Sequence, residues 1–291
     1  MCSFLFEKNK KMNFLKLPHK KRNMKKRSNL RDNISQAIPY SLKYFIRKYK
    51  NPWGREVNLK VLEHIKNSSI EQLKNQDYLE NNLLPKLGLN NEALNEIPDE
   101  FSNIIDKGLL FWQYPNQFSK YLLLLSTFKI SNYIEIGVRH GGTFILTLEY
   151  LKAIGNKLKW ATAVDIRYSP SIIKYRKTES YNINLLLMDS DSLEFKSYIN
   201  KIKEIDLVFI DGDHSFAYCL KDFEKVKDIS KIIVFHDIVN SACPGVPLVW
   251  QHVKTNYSND YDFYEFIDQY DSVLNKNNGN KYLGMGVAIK K

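Results

Sequence analysis

Only three cysteines occur in the 291 residues, Cys2, Cys219 and Cys243, with no CxxC pair and no histidine at zinc-finger distance from one. A disulfide framework and a structural zinc finger are excluded, and a reducing, cytoplasmic setting is expected. Long apolar runs are missing too. The longest, such as Tyr121–Leu125 and Leu207–Ile210, fall far short of the roughly 20 residues a spanning helix needs, so a soluble or peripheral protein is expected. Phe4-Leu5-Phe6 is cut at once by Glu7-Lys8, too early for a secretory apolar segment. Neither GxGxxG nor GxxxxGK(S/T) occurs, which removes a dinucleotide fingerprint and a P-loop.

What charge there is lies unevenly. Residues 1–50 hold 15 Lys/Arg against Glu7 and Asp32, whereas residues 51–291 hold 28 Lys/Arg and 30 Asp/Glu. The net charge of +11 therefore describes a basic tail on a near-neutral body. No nucleic-acid site is expected in the body, and the tail is suited to anionic surfaces. Residues 1–33 read as a disordered basic arm. Residues 34–130 read as a helical extension: an amphipathic helix over 39–50, a break at Asn51-Pro52-Trp53-Gly54, then stripes such as Val57, Val61, Leu62, Ile65 and Phe118, Tyr121, Leu122, Leu125. Residues 131–291 read as the catalytic domain.

From Asn132 short apolar segments alternate with helical ones. Strands are expected at Tyr133–Ile136, Trp160–Val164, Ile183–Met188, Ile205–Ile210 and Ile232–Phe235, with helices near 142–153, 170–176, 191–203, 215–227 and 246–255. Strands apolar throughout, such as Leu207-Val-Phe-Ile210, suit a parallel sheet buried on both faces. The alternation points to a doubly wound α/β fold, with Tyr261–Ile267 and Tyr282–Ile289 pairing antiparallel to close it.

The chemistry collects at the expected strand ends. Glu135 precedes the turn Gly137-Val-Arg-His-Gly141-Gly142-Thr143, where glycines would let a ligand approach the backbone. An acidic residue before such a turn suits a cationic, amino-acid-bearing ligand better than a pyrophosphate. Asp165 ends the second strand, where a carboxylate can accept from ribose hydroxyls. Asp189-Ser-Asp191-Ser192 ends the third, Asp211-Gly-Asp213-His214 the fourth and His236-Asp237 the fifth. In an open sheet neighbouring strand ends face one crevice, so Asp211, Asp213, His214, His236 and Asp237 are expected to converge. A neutral imidazole at His214, with an ordinary pKa of about 6.5, suits a general base. Asp213 reads as a helix cap, Cys219 as core, Cys243 as part of a tight turn, and Trp250 and His252 as a wall of an acceptor pocket.

These motifs, in this order, resemble the class I S-adenosylmethionine-dependent methyltransferases, and most of all the branch of macrolide-sugar O-methyltransferases and cephalosporin-hydroxylase-like proteins. The resemblance covers roughly residues 110–290, including Leu283-Gly-Met-Gly-Val287. It implies a Rossmann-like, mostly parallel seven-stranded sheet of order 3-2-1-4-5-7-6 and S-adenosylmethionine as cofactor. It implies that Glu135, Gly137 and Gly141 flank the methionine moiety, Asp165 the ribose, and Asp191 with Ser192 the adenine. It also implies a divalent metal, magnesium or manganese, on Asp211, His236 and Asp237, with His214 as catalytic base. His236 departs from the pattern, since metal-dependent relatives carry an acidic residue there; magnesium prefers oxygen, so manganese, iron or a metal-free site fits as well.

The expected reaction is O-methylation of a small hydroxylated acceptor, such as a sugar or glycoconjugate. No Asn/Asp-Pro-Pro-aromatic motif follows the fourth strand, which argues against methylation of amino groups. Two alternatives stand beside it: a hydroxylase with a two-histidine, one-carboxylate metal site, and a non-catalytic scaffold docked through the basic arm.

Overall fold

The computed structural model describes residues 54–92 and 94–291. The basic arm and the helix expected over 39–50 lie outside the described residues. Seven strands form one sheet of order β3-β2-β1-β4-β5-β7-β6. They are β1 (Asn132–Ile136), β2 (Trp160–Asp165), β3 (Asn182–Leu187), β4 (Ile205–Ile210), β5 (Ser230–His236), β6 (Tyr261–Phe266) and β7 (Met285–Lys290). β1 to β5 pair in parallel, and β7 runs antiparallel to both β5 and β6. β7 starts three residues later than its apolar pattern suggests. Leu283 (φ 57°) and Gly284 (φ 90°) are left-handed, which breaks the extended backbone there.

Each strand buries alternate side chains on opposite faces. On one face Tyr133, Ala163, Leu207, Phe209 and Val234 meet α1 (Pro115–Leu125), α2 (Gly142–Ala153) and α3 (Pro170–Arg176). On the other, Ile134, Ile136, Val208, Ile233 and Phe235 meet α4 (Leu193–Ile199), α5 (Phe216–Val226) and α6 (Gly245–Asn256). α5 shows the pattern that produces this layer: Cys219, Phe223 and Val226 are buried on one stripe while its other side is wet. α2 differs in being apolar all round, with Phe144, Ile145, Leu146, Leu148 and Leu151 all buried, so it needs cover on its outer side as well.

That cover is the segment before α1. It is less regular than its periodicity suggests, consisting of turns such as Glu63–Lys66, Ile70–Leu73 and Leu84–Leu87. Ser69 and Gln72 close a reciprocal capping box, and the Tyr150 hydroxyl of α2 donates to Leu73 O at 3.0 Å. Ile65, Leu73, Leu79, Leu84 and Leu87 are fully buried in the same core as β1 and β4. At about 1.5–3 kcal/mol each, these five side chains contribute on the order of 10 kcal/mol. That is comparable with the whole stability of an ordinary domain, so the segment belongs to the folding unit of the sheet. Among the described residues no helix is long and apolar enough to cross a membrane.

Candidate active site

The carboxyl ends of β1, β2, β4 and β5 open into one cavity of about 690 Å³, inside the usual range for small-ligand sites. Glu135, Gly137, Asp165, Asp211, His214, His236 and Asp237 all line it. Parallel strands explain the convergence: each runs out of hydrogen-bonding register at the same edge and hands its last polar residue to the same crevice.

At the β2 end, Asp165 accepts backbone N–H bonds from Arg139 (2.6 Å) and Arg167 (2.7 Å). Burial raises its pKa, against those bonds and the Arg167 charge. The carboxylate thus ties the β1–α2 turn to the β2–α3 turn. Glu135 is buried, accepts from the Tyr133 hydroxyl, and has its pKa pushed well up by burial.

The turn glycines also meet a packing demand. A Cβ on Gly137 (φ 89°) would lie 1.9 Å from Asp211 O, and one on Gly142 would lie 2.1 Å from Leu109 O. One on Gly141 (φ 89°) would meet Ile172 at 2.7 Å. At each position the protein's own chain already leaves no room for a Cβ. The turn is sealed further by the segment before α1. Arg55 N–H donates to His140 Nδ1 (2.8 Å), Val57 N–H to Ser171 Oγ (2.9 Å), and His140 Nε2 lies 2.9 Å from Glu92. Burial and the charges of Arg139, Arg55 and Arg167 push the pKa of His140 down to about 4. The ring is therefore neutral, and with Nδ1 accepting, Nε2–H donates to Glu92. Arg139 pairs with Glu92 and lies over Trp112, 5.1 Å from the ring centroid.

Asp191 and Ser192, the residues expected at the adenine, are not among those lining the cavity. Asp191 is exposed and ion-paired to Lys221 (2.7 Å) and Lys225 (3.4 Å), and Ser192 caps α4 through Phe195 N–H. It is Met188, Asp189 and Ser190 that line the cavity. Ser190 is held by the buried Asp222 at 3.0 Å. Trp250 and His252 are also elsewhere: the Trp250 indole donates to Glu265 at 2.6 Å, and His252 packs edge-on against Phe216.

The β4 and β5 ends carry the charge. Asp211 Oδ1 lies 3.2 Å from His214 Nε2 and 3.0 Å from His236 Nδ1. Asp237 Oδ2 lies 3.3 Å from His214 Nδ1, and its Oδ1 lies 3.4 Å from His236 Nδ1. Asn240 donates to that Oδ1 at 2.9 Å. Asp237 is left-handed at φ 64°, which turns its side chain back into the cluster. Burial alone would discharge the imidazoles. The hydrogen bond to Asp211, the contact with Cys243 and the charges of both aspartates override it, pushing His214 up to about 11. At His236 burial is likewise outweighed by Asp211 and Asp237, and the pKa rises to about 9. Asp211, buried as it is, is held below the usual carboxylate range by His236 and His214. Asp213, expected to join them, is exposed and accepts from Ser215 N–H at 2.8 Å in the turn before α5.

Two residues were not legible as site residues. Glu96, from the segment before α1, lines the same cavity; burial and the Asp237 charge raise its pKa to about 7. Cys243 Sγ lies 2.9 Å from His214 Nδ1, because the 243–245 turn docks on residues 214–216. A Cβ on Gly245 would lie 2.4 Å from His214 O.

Asp211, His236 and Asp237 offer ligand atoms within 4.8 Å of one another, and so do His214, Asp237 and Cys243. His236 Nε2 is buried without a hydrogen-bond partner. Two carboxylates and an imidazole match manganese or iron better than magnesium.

A sheet of this order, with a glycine turn after β1 and acidic ends on β2, β4 and β5, has the class I methyltransferase fold. Residues 134–238, from β1 to the turn after β5, match the family model described as "Methyltransferase domain". The match spans about a third of the chain. No curated protein matches the chain. Similar solved structures include the O-methyltransferase TomG from Streptomyces achromogenes, in complex with S-adenosylmethionine (13% identity, 69% of this chain and 90% of that one, TM-score 0.46). Two others are an O-methyltransferase from Bacillus cereus in complex with S-adenosylhomocysteine (13%, 86% and 97%, 0.43) and the O-methyltransferase NovP (12%, 79% and 97%, 0.45). The fold rests on strand order and register, independently of these likenesses.

Proposed function

We propose that the chain transfers a methyl group from S-adenosylmethionine to a hydroxyl of a small hydroxylated acceptor, such as a sugar or glycoconjugate, with His214 taking the hydroxyl proton. The observation that carries this reading is that one cavity joins the glycine turn and Asp165 to the Asp211–His214–His236–Asp237 cluster. The cofactor, when bound, supplies an electrophilic methyl on a sulfonium, so the protein must position and deprotonate the acceptor.

Asp165 is the ribose partner and Glu135, with the Gly137–Gly141 turn, faces the methionine end. Asp189 and Ser190 take the adenine end. Trp112, Glu96 and Asn240 line the cavity beyond the cluster, an aromatic face beside carboxylate and amide groups that suits a polyhydroxylated ring. A divalent ion on Asp211, His236 and Asp237 would polarise the acceptor oxygen. The aspartates beside His214 raise its pKa to about 11; a cation held by Asp211 and Asp237 would offset that field and favour the neutral imidazole that a base requires.

Calorimetry with S-adenosylmethionine and S-adenosylhomocysteine, with and without manganese, tests the first half of this reading. Methyl transfer to a panel of sugars and catechols tests the second. Absence of cofactor binding in the folded protein would sink the proposal. The two imidazoles around Asp211 also fit a metal hydroxylase; methyl transfer that proceeds in the absence of oxygen would remove that reading.

A further inference from the structure

The second donor set, His214, Asp237 and Cys243, differs in kind from the first. It contains a thiol, and the surrounding bonds already orient its atoms as ligands. His214 presents Nε2 to Asp211 Oδ1 at 3.2 Å, so that nitrogen carries the proton when the ring is neutral and Nδ1 keeps its lone pair. Nδ1 faces Cys243 Sγ at 2.9 Å and Asp237 Oδ2 at 3.3 Å. Asn240 occupies the other oxygen, Oδ1, at 2.9 Å, which leaves Oδ2 for the set. A carboxylate behind a histidine and an amide behind a carboxylate are the supports that metal ligands ordinarily have.

We propose that His214 Nδ1, Cys243 Sγ and Asp237 Oδ2 form a second cation site that takes zinc or a similarly thiophilic divalent ion, and that its occupation inhibits the protein. Zinc favours sulfur, nitrogen and oxygen donors at about 2.0–2.3 Å in a tetrahedron, which sets them roughly 3.3–3.6 Å apart. Nδ1 and Oδ2 already stand at such a separation, 3.3 Å, while Nδ1 and Sγ, at 2.9 Å, need to open by roughly 0.6 Å; all three residues line the cavity, where water fills the fourth position. Binding displaces the Cys243 thiol proton and the proton on His214 Nδ1 to solvent. Once zinc is bound, Nδ1 is on the metal and Nε2–H is on Asp211, so neither ring nitrogen can accept a proton. The site's existence is independent of methyl transfer, whereas the inhibition rests on the function proposed above. Magnesium, which avoids sulfur, is the ion that this set rejects.

Cobalt is the probe, because thiolate–cobalt bonding gives a near-ultraviolet charge-transfer band. Full-length protein titrated with cobalt should show that band, zinc should abolish it, and both Cys243→Ser and Cys243→Ala should lack it while keeping the parental circular dichroism. Cys2 and Cys219 remain in both variants, so a band from either would persist. A parent without the band at saturating cobalt, or a band retained in both variants, would overturn the site. With a working acceptor, zinc should inhibit the parent at least tenfold more strongly than Cys243→Ser. Equal inhibition overturns the inhibitory role, whereas a zinc-free parent with no methyl transfer counts against the functional reading and leaves the cobalt result standing.

Discussion

The two halves of the cavity hold their carboxylates by different means. Asp165 leans on two backbone amides, those of Arg139 and Arg167, whereas Asp211 and Asp237 lean on two imidazoles. Amides do not titrate, so the partners that hold Asp165 are set once the chain has folded. Imidazoles do, so the chemical half takes its state from the protons and cations around it. Asp211 and Asp237 raise His214 to about 11 and His236 to about 9, so a base at His214, as proposed above, requires that field to be offset first.

The largest expected effect tests the titrating half. His214→Ala should lower turnover by roughly 10²–10⁴-fold, the usual contribution of a positioned general base, with cofactor affinity almost unchanged. Parental turnover in this variant would move the base elsewhere, with His236 next in line. In the amide-held half, Asp165→Ala should weaken S-adenosylmethionine binding by roughly 1.5–3 kcal/mol, as expected for charge-assisted hydrogen bonds. An unchanged affinity in a folded variant would take Asp165 out of the ribose site.

The imidazole-held half also predicts a pH dependence of stability. Both imidazoles are raised above the unfolded value of about 6.5. Their pairing therefore stabilises the fold fully below that pH, and the contribution is lost as pH rises through about 9 and then about 11. In chelator, melting temperature should fall across this window, and less steeply in His214→Ala. A parent and variant with the same slope would mean that the pairing is not formed. The smallest expected effect concerns Ser192. Ser192→Ala should cost about 1 kcal/mol of stability through the lost α4 cap, while cofactor affinity stays at the parental value. A loss of affinity would return Ser192 to the adenine site.

Much of this arrangement was legible because it is local. The five parallel strands were readable from continuous apolar runs, and Asp165, Asp211 and His236-Asp237 from standing where those runs stop. The misreadings involve partners distant in sequence. Asp191, expected at the adenine, pairs with Lys221 and Lys225, one α5 turn apart, which no local pattern announces. The turn glycines looked open to a ligand, but Asp211 O and Leu109 O fill that space. Glu96 and Cys243 carry no local signal at all; only the tertiary fold brings them to the cluster. Leu283 and Gly284 delay β7 through backbone handedness, which hydrophobic pattern does not encode.

The clasp of residues 54–57 over the glycine turn bears on the order of events during synthesis. Its bonds, Arg55 to His140 and Val57 to Ser171, close across 85 and 114 residues. Contacts so distant along the chain come late, because the entropy of closing the intervening loop must be met first. On the ribosome the segment bearing Arg55 and Val57 emerges early and has no partner until β1, β2 and the start of α3 have followed it. A nascent chain should therefore have its β1–α2 turn unsealed until more than half of these 291 residues are made.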